Sequence, residues 1–541
     1  MRSKAESTEI GFLTKLLAAT LLLAGLVLRL WLIFGVRYTE EDSLITLRYA
    51  KHLWRGDGLT YNVGEKVMGF TSPLWTMMTA PIAGVNSYGM ARVGLGLLCL
   101  AFYVAAVGII LGLAKTSFRL APAGFLVLTA LLALEPRLVT ESVGGMEMSL
   151  FVLFMASSAL AIEKNKFGLA FLVASLSFLT RPEGVLLWVV VFAHIWYIKR
   201  KAPLQQAVLF SAPVVLPWLA FASAYFGSPV ALSARAKSGW SSGGESVLST
   251  LTRPGDLEVV WRDMTVGRLT GLPAGLRGAA VAAVAATWVL GLWSAFRRER
   301  GTALMLQALM GALLLFYYFG RAIYFPWYAV TSLVVLAVAA GCVADDLVDV
   351  VREGTGDGDT PVHTKVPSQG RQIGSRIVSV TAVLVALIAC IAMWPRLGNA
   401  KEFQLYEESV RQPIGEYLRE CTDNDSAVML EPIGYIGYFS DRRILDLGGL
   451  VSPELAATRD KLEPGWGARE VHALRPEYLI LRAGEVEHNK FYASGLAPMF
   501  ASEHERQTFL ETYREIKVFE WDGKVELPLV LYARNDVRPL C

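Results

Sequence analysis

Long apolar runs separated by short polar turns constrain this chain more than any other feature. They lie at residues 11–34, 88–114, 120–135, 146–162, 167–180, 184–198, 207–226, 279–296, 302–320, 327–344 and 376–395. The hydrocarbon core of a bilayer takes about 20 residues of helix to cross. The expectation is a polytopic α-helical membrane protein with about eleven transmembrane helices. The runs between 120 and 198 are short for that task, so they are expected to tilt, pair as hairpins or extend through their charged ends. Pro73 to Val85 is shorter still and reads as a juxtamembrane or re-entrant helix. A composition 54% hydrophobic and 18% charged, with mean hydropathy +0.42, excludes an ordinary soluble globule. The formal net charge of +3 implies no polyanion-binding surface, and no nucleic-acid motif is visible. The first run continues through Phe34 without a small-residue cleavage site, which reads as an uncleaved anchor.

Basic residues orient the runs. Arg2/Lys4, Lys115/Arg119, Lys164/Lys166, Lys199/Arg200/Lys201, Arg297/Arg298/Arg300 and Lys365/Arg371/Arg376 fall at alternate ends of successive runs. The positive-inside rule makes that side cytoplasmic and predicts a multi-pass protein of the cytoplasmic membrane. The loop 35–87, the turns at 136–145, 181–184 and 320–326, the 228–277 loop and the C-terminal tail then face outward. Residues 353–374 have the Gly, Pro and polar composition of a disordered cytoplasmic loop. The runs and their loops thus define a membrane domain over 1–395, and 396–541 read as an extracytoplasmic α/β domain. Its strand-like segments are SAVMLE, RRILDL, EYLILR, EIKVFEW and LPLVLYAR, with helical segments at 402–420 and 502–515.

Chemistry concentrates in residues 40–75, a polar, glycine-rich stretch between apolar runs. Glu40, Glu41 and Asp42 follow the first run, where carboxylates can act on something membrane-bound. Leu44, Leu47, Ala50 and Leu53/Trp54 have helical spacing, predicting an amphipathic helix from Asp42 to Arg55 on the bilayer surface, with Asp42 or Ser43 as its N-cap. Arg137, Arg181 and Arg321 stand in outer turns against the positive-inside trend. Arg181 has Glu183 beside it, and Arg321 has Tyr324 and Trp327, so both are candidate phosphate ligands as well as candidate snorkelling anchors. Lys237 is a third candidate cation, or a solvated loop lysine. Glu147 opens an apolar run, where a carboxylate also suits a helix N-terminus. In the C-terminal domain GYIGYFSDRR, Asp446 and Gly448/Gly449 fit either a glycan contact or turn chemistry. Cys99, Cys342 and Cys390 lie in apolar runs; Cys421 and Cys541 are the one pair able to bridge, although two free thiols are expected there.

The same stretch resembles the first outer loop of the GT-C glycosyltransferases, in the bacterial branch where an acidic pair precedes Y-I-x-x-R-Y-A, G-x-G-L-x-Y-N-x-G-E and G-Y-T-S-P-L-W. Here these read ED-SLITLRYA, GDGLTYNVGE and GFTSPLW. GGMEMSLF at 144–151, LTRPEG at 179–184, YFGSP at 225–229, FPWY at 325–328 and GYIGYFSDRRILDLGGLVSP at 434–453 continue the resemblance over nearly the whole chain. Glu41 stands where the family's pair begins with Asp, and VALSARAK stands for the P-N-T-x-x-A-K run. The resemblance implies an inverting transferase that uses a polyprenyl-phosphate sugar outside the cytoplasmic membrane. Its base would be Asp42 or Glu41, left open here, and its phosphate ligands Arg181, Lys237 and Arg321. Glu147, Glu183 and Tyr324 would join them around the substrate. Arabinofuranosyltransferases of actinobacterial cell walls belong to this branch, which makes arabinofuranose or mannose candidate sugars and a cell-envelope glycan, lipid or protein the acceptor. A divalent cation could sit near the acids, although no ligand spacing calls for one. The rival reading is a transporter or flippase of lipid-linked sugars. That reading calls for polar residues near mid-membrane and mirrored halves, whereas the notable charges here gather at one face.

Overall fold

The computed structural model describes residues 11–85, 87–236, 254–265, 274–320, 325–354, scattered positions from 380 to 390, and 395–541 apart from 459–462, 492–496 and 524–525. Its membrane part comprises α1 (Phe12–Trp31), α2 (Glu41–Arg55), α3 (Pro73–Ala83), α4 (Tyr88–Thr116), α5 (Pro122–Leu134), α6 (Pro136–Glu141) and α7 (Met148–Glu163). These are followed by α8 (Phe167–Phe178), α9 (Gly184–Lys199), α10 (Leu204–Phe226), α11 (Pro254–Thr265), α12 (Ala274–Arg297), α13 (Gly301–Gly320) and α14 (Ala329–Gly354).

The chain is a multi-pass membrane protein. Among the described residues six helices are long and apolar enough to cross a bilayer: those at Phe12–Val36, Tyr88–Thr116, Leu204–Phe226, Gly275–Arg297, Gly301–Gly320 and Pro326–Val350. Ten of the eleven expected runs fall on these six and on four shorter apolar helices, α5, α7, α8 and α9, which lie in the runs between 120 and 198 that the sequence marked as short. The shorter ones have 12 to 16 residues, which at 1.5 Å per residue gives about 18 to 24 Å against a hydrocarbon core of about 30 Å. The run at 376–395 lies largely outside the described residues. The last of the six spans, which includes most of α14, is the most enclosed and packs against α5 and α12.

One arginine inside the first span was not singled out from the sequence. Arg29 is buried and donates to the carbonyls of Gly25, Leu132, Ala133 and Leu138 and to Ser142 Oγ. It thereby satisfies carbonyls left open at the end of α5, which no i+4 amide can reach.

The C-terminal domain adds α15 (Pro395–Tyr406), α16 (Gln412–Cys421), α17 (Gly434–Ser440), α18 (Pro453–Thr458), α19 (Trp466–Leu474) and α20 (Glu503–Thr512) to five strands. These are β1 (Ala427–Leu430), β2 (Arg443–Asp446), β3 (Tyr478–Arg482), β4 (Tyr513–Phe519) and β5 (Leu529–Arg534). The sheet order is β2-β1-β3-β5-β4, with β2, β1 and β3 parallel and β5 antiparallel to both its neighbours. All five strand-like segments of the sequence form strands. β1 is buried at every position, as a central parallel strand covered on both faces must be.

Two expectations are corrected here. Cys421 and Cys541 are a disulfide, not two free thiols. The tail beyond β5 returns to the end of α16, where the Leu540 amide donates to the Cys421 carbonyl at 2.8 Å, and that return brings the two Cα atoms to 5.1 Å. Second, α2 does not lie on a bilayer surface. Its Leu44, Leu47 and Ala50 pack between Ala80 and Ala83 of α3 and Tyr435, Tyr438 and Phe439 of α17, so the apolar stripe faces protein on both sides.

Candidate active site

The first-loop helix begins one residue earlier than the sequence suggested. Glu40, with extended backbone, is its N-cap in place of Asp42 or Ser43, and no side chain caps it; Ser43 Oγ instead donates to the Glu40 carbonyl at 2.6 Å. A tertiary contact fixes that start: the Glu40 amide donates to the Gly144 carbonyl at 2.8 Å and so is held outside the helix. Successive side chains at a helix start diverge by about 100°, so three adjacent acids are sent three ways. Glu40 accepts a short hydrogen bond from Tyr38 and lies against Glu141 of α6. Glu41 accepts one from the amide of Gly434 at the start of α17. Asp42 lines a cleft.

That cleft has an empty volume of about 430 Å³ including its open mouth. Asp42, Ile45 and Thr46 of α2, the segment Gly69–Ser72, Met146, Glu147, Arg181, Ser233, Trp327, Tyr328 and Leu450 surround it. Three motifs distant in sequence therefore converge: the acidic pair, GGME and TRPEG. The polar side chains of the last two are deeply buried, with Glu147, Arg181 and Glu183 each no more than 5% exposed.

Arg181 organises this floor. Its Nη1 donates to Glu147 Oε1 at 2.6 Å, and its Nη2 and Nε donate to the two oxygens of Glu183 at 2.6 and 3.2 Å. Tyr317 also donates to Glu183, and the Tyr328 ring lies 4.1 Å from the Arg181 carbon Cζ. A buried carboxylate needs this pairing, since the cost of leaving water is otherwise uncompensated. Glu147 occupies the N-cap position of α7 as its place in the sequence implied, but its side chain makes no cap bond and turns to Arg181. Arg137 is buried too, near Glu135 and the Asp263 carbonyl, and takes no part in the cleft.

Glu41 is in a different position from Asp42. Burial first, and then the Asp42 charge, hold its carboxyl well above the ordinary carboxylate range. Nearby Arg411 pairs with Glu407 and Glu526. Gly434 has no substitute at this contact, because a Cβ there would stand 2.1 Å from the Glu41 carbonyl oxygen.

Lys237, Arg321 and Tyr324 lie outside the described residues. Sequence reasoning named Tyr324 beside a guanidinium; the ring found on Arg181 is Tyr328, four residues on in the FPWY motif. It missed Thr46, Ser233 and Leu450. The one signal for Ser233 was its place in VALSARAK, the run that departs from the family pattern. Gly434 to Ser440 and Asp446 act in turns and packing: α17 covers α2, and the Asp446 carboxylate accepts from the amides of Gly448, Leu450 and Val451. Among the described residues no three His, Cys, Asp or Glu side chains converge to hold a metal ion.

Over 96% of its length the chain superposes on ArnT from Cupriavidus metallidurans bound to undecaprenyl phosphate, with a TM-score of 0.52, 13% identity and 98% of that chain covered. The apo form of the same protein matches with a TM-score of 0.54 at 12% identity, over 96% of this chain and 97% of that one. The chain has the GT-C fold. Residues 400–537 match a family described as a domain of unknown function, DUF8728. No curated protein sequence matches the chain.

Proposed function

We propose that this protein transfers a sugar from a polyprenyl phosphate to a hydroxyl of a cell-envelope acceptor, on the membrane face that carries the C-terminal domain. The observation that carries the reading is Asp42 at the wall of a cleft, in a chain with the GT-C fold. Undecaprenyl phosphate on the ArnT relative supports a lipid-phosphate donor here.

The reaction needs a base for the acceptor hydroxyl and charge stabilisation for the departing phosphate. Asp42 takes the acceptor's proton as the acceptor oxygen bonds to the anomeric carbon. The bond from that carbon to the phosphate oxygen breaks, inverting the configuration and releasing polyprenyl phosphate. Glu41 does not line the cleft and accepts from the Gly434 amide instead. Arg181 acts chiefly by holding Glu147 in the cleft, since three of its N–H groups are taken by carboxylates. Its two remaining N–H groups, with Arg321 and Lys237, are the proposed phosphate contacts. The donor sugar is arabinofuranose or mannose by the resemblance given above.

Mass analysis of lipid-linked sugars in a deletion strain tests this. One polyprenyl-phosphate sugar should accumulate, and the purified protein should discharge it onto envelope acceptor. An unchanged pool together with no transfer in vitro would overturn the proposal.

A further inference from the structure

Among the described residues lining the cleft, carboxylates outnumber cations. Asp42 and Glu147 stand with Arg181, and that guanidinium pairs with Glu147 and also serves Glu183 behind it. What remains is what a sugar needs: carboxylates to accept from ring hydroxyls, the hydroxyls of Thr46, Thr71 and Ser233, and the rings of Phe70, Trp327 and Tyr328.

Ser233 stands out within that set. It is 3% exposed, it lines the cleft, and its Oγ has no hydrogen-bond partner among the described residues. Its position is fixed by the two residues before it. The Leu232 amide donates to the Met68 carbonyl at 2.8 Å, and Ala231 packs in a core with Met68, Phe70 and Trp218. A buried hydroxyl left unpaired is costly, so one held in place at the wall of a binding cleft is set for a ligand atom.

Resting on the proposed function, we infer that Ser233 hydrogen-bonds a hydroxyl of the sugar being transferred and so reads the identity of that sugar. The transferred sugar is a single ring that the cleft can enclose. An envelope acceptor must continue out through the mouth, so the most buried hydroxyl contact falls to the donor. A site that bonds a hydroxyl rejects the analogue lacking it, because its own polar group is then stranded.

The test uses the full-length protein in nanodiscs, the active polyprenyl-phosphate sugar taken from the deletion strain's lipid extract, and its series of single-deoxy analogues. Ser233→Ala should lower kcat/KM for the parent donor about tenfold, the scale of one neutral hydrogen bond in a closed site. Against one deoxy analogue, the one missing the contacted hydroxyl, Ser233→Ala and the parent protein should perform alike. Equal losses on every analogue, a loss confined to acceptor KM, or no loss at all would overturn the inference. The two readings fail separately. Parental transfer by Ser233→Ala with Asp42→Asn inactive removes only the Ser233 contact, whereas a parent protein that transfers no lipid-phosphate sugar removes the function beneath it.

Discussion

Replacing Asp42 by Asn separates a catalytic carboxylate from a structural one, because its neighbour Glu41 supplies the control. Asparagine keeps the shape of the side chain and loses its basicity. A lost general base costs a factor of about 10² to 10⁴, or roughly 2.7 to 5.4 kcal/mol at 1.36 kcal/mol per decade. The side chain already borders a cleft, and its helix is fixed by α3 and α17, so this loss should appear in rate without loss of fold. For Glu41→Gln the structure gives a different expectation. The amide oxygen can still accept from Gly434, and burial already disfavours the charged form of the carboxyl. The change should cost no more than about 1 kcal/mol, the net value of a neutral hydrogen bond. Both variants are to be purified, checked for parental thermal unfolding, and assayed by transfer of radiolabelled sugar from polyprenyl phosphate under single-turnover conditions. Asp42→Asn at the parental rate would refute the assignment. An inactive Glu41→Gln beside an active Asp42→Asn would move the base to Glu41 and contradict the reading of the Gly434 contact.

Three further outcomes follow from the geometry. Arg181→Met strands two buried carboxylates and should cost about 3 to 5 kcal/mol of stability; adding Glu147→Gln and Glu183→Gln should restore much of it, and a melting temperature unmoved by Arg181→Met would refute the pairing. Burial first, and then the Glu40 charge, raise the Glu141 carboxyl well above its ordinary value of 4.5. The folded state therefore holds that proton more tightly than the unfolded chain, and stability should decline as pH rises above about 4.5. Glu141→Gln should flatten the decline in a thermal-unfolding series, and an unchanged slope would contradict it. Exposed single cysteines at Val63 and Glu503 should react with an impermeant thiol reagent in spheroplasts, and one at Lys164 only after lysis. The native free thiols are buried and should stay silent; labelling of the Lys164 position from outside would invert the orientation.

The apolar runs and the strand segments were legible because each depends on a local pattern: length for a span, β-branched and aromatic runs for a strand. The placement of the three acids was not. It depends on where α2 starts, and that is set by the Gly144 carbonyl, about a hundred residues away in the chain. A shift of one residue turns every later side chain by about 100°, enough to exchange a base for a structural contact. Arg181 and Glu147 were each visible as unusual charges, but only folding shows that they neutralise one another. The disulfide was misjudged for a similar reason: 120 residues separate its cysteines, and nothing local indicates that the tail returns to α16.

The C-terminal domain is part of the cleft and not an appendage to it. The Asp446 carboxylate gathers the amides of Gly448, Leu450 and Val451, and the Asp446 amide donates to Ser452 Oγ at 2.8 Å. This tight turn carries Leu450 to the cleft wall. It comes so close to the first loop that a Cβ on Gly69 would stand 2.5 Å from Val451 Cγ1 and 2.8 Å from the Leu450 carbonyl oxygen. Arg48 ties the same parts together by donating to the carbonyls of Tyr61, Gly437 and Arg442, and Lys51 pairs with Asp441 at 2.6 Å. The Gly434 amide that engages Glu41 belongs to this contact as well. Glu41 is held by α17 while Asp42, one residue on, lines the cleft, so the C-terminal domain helps fix how the acids of the first loop are placed around it.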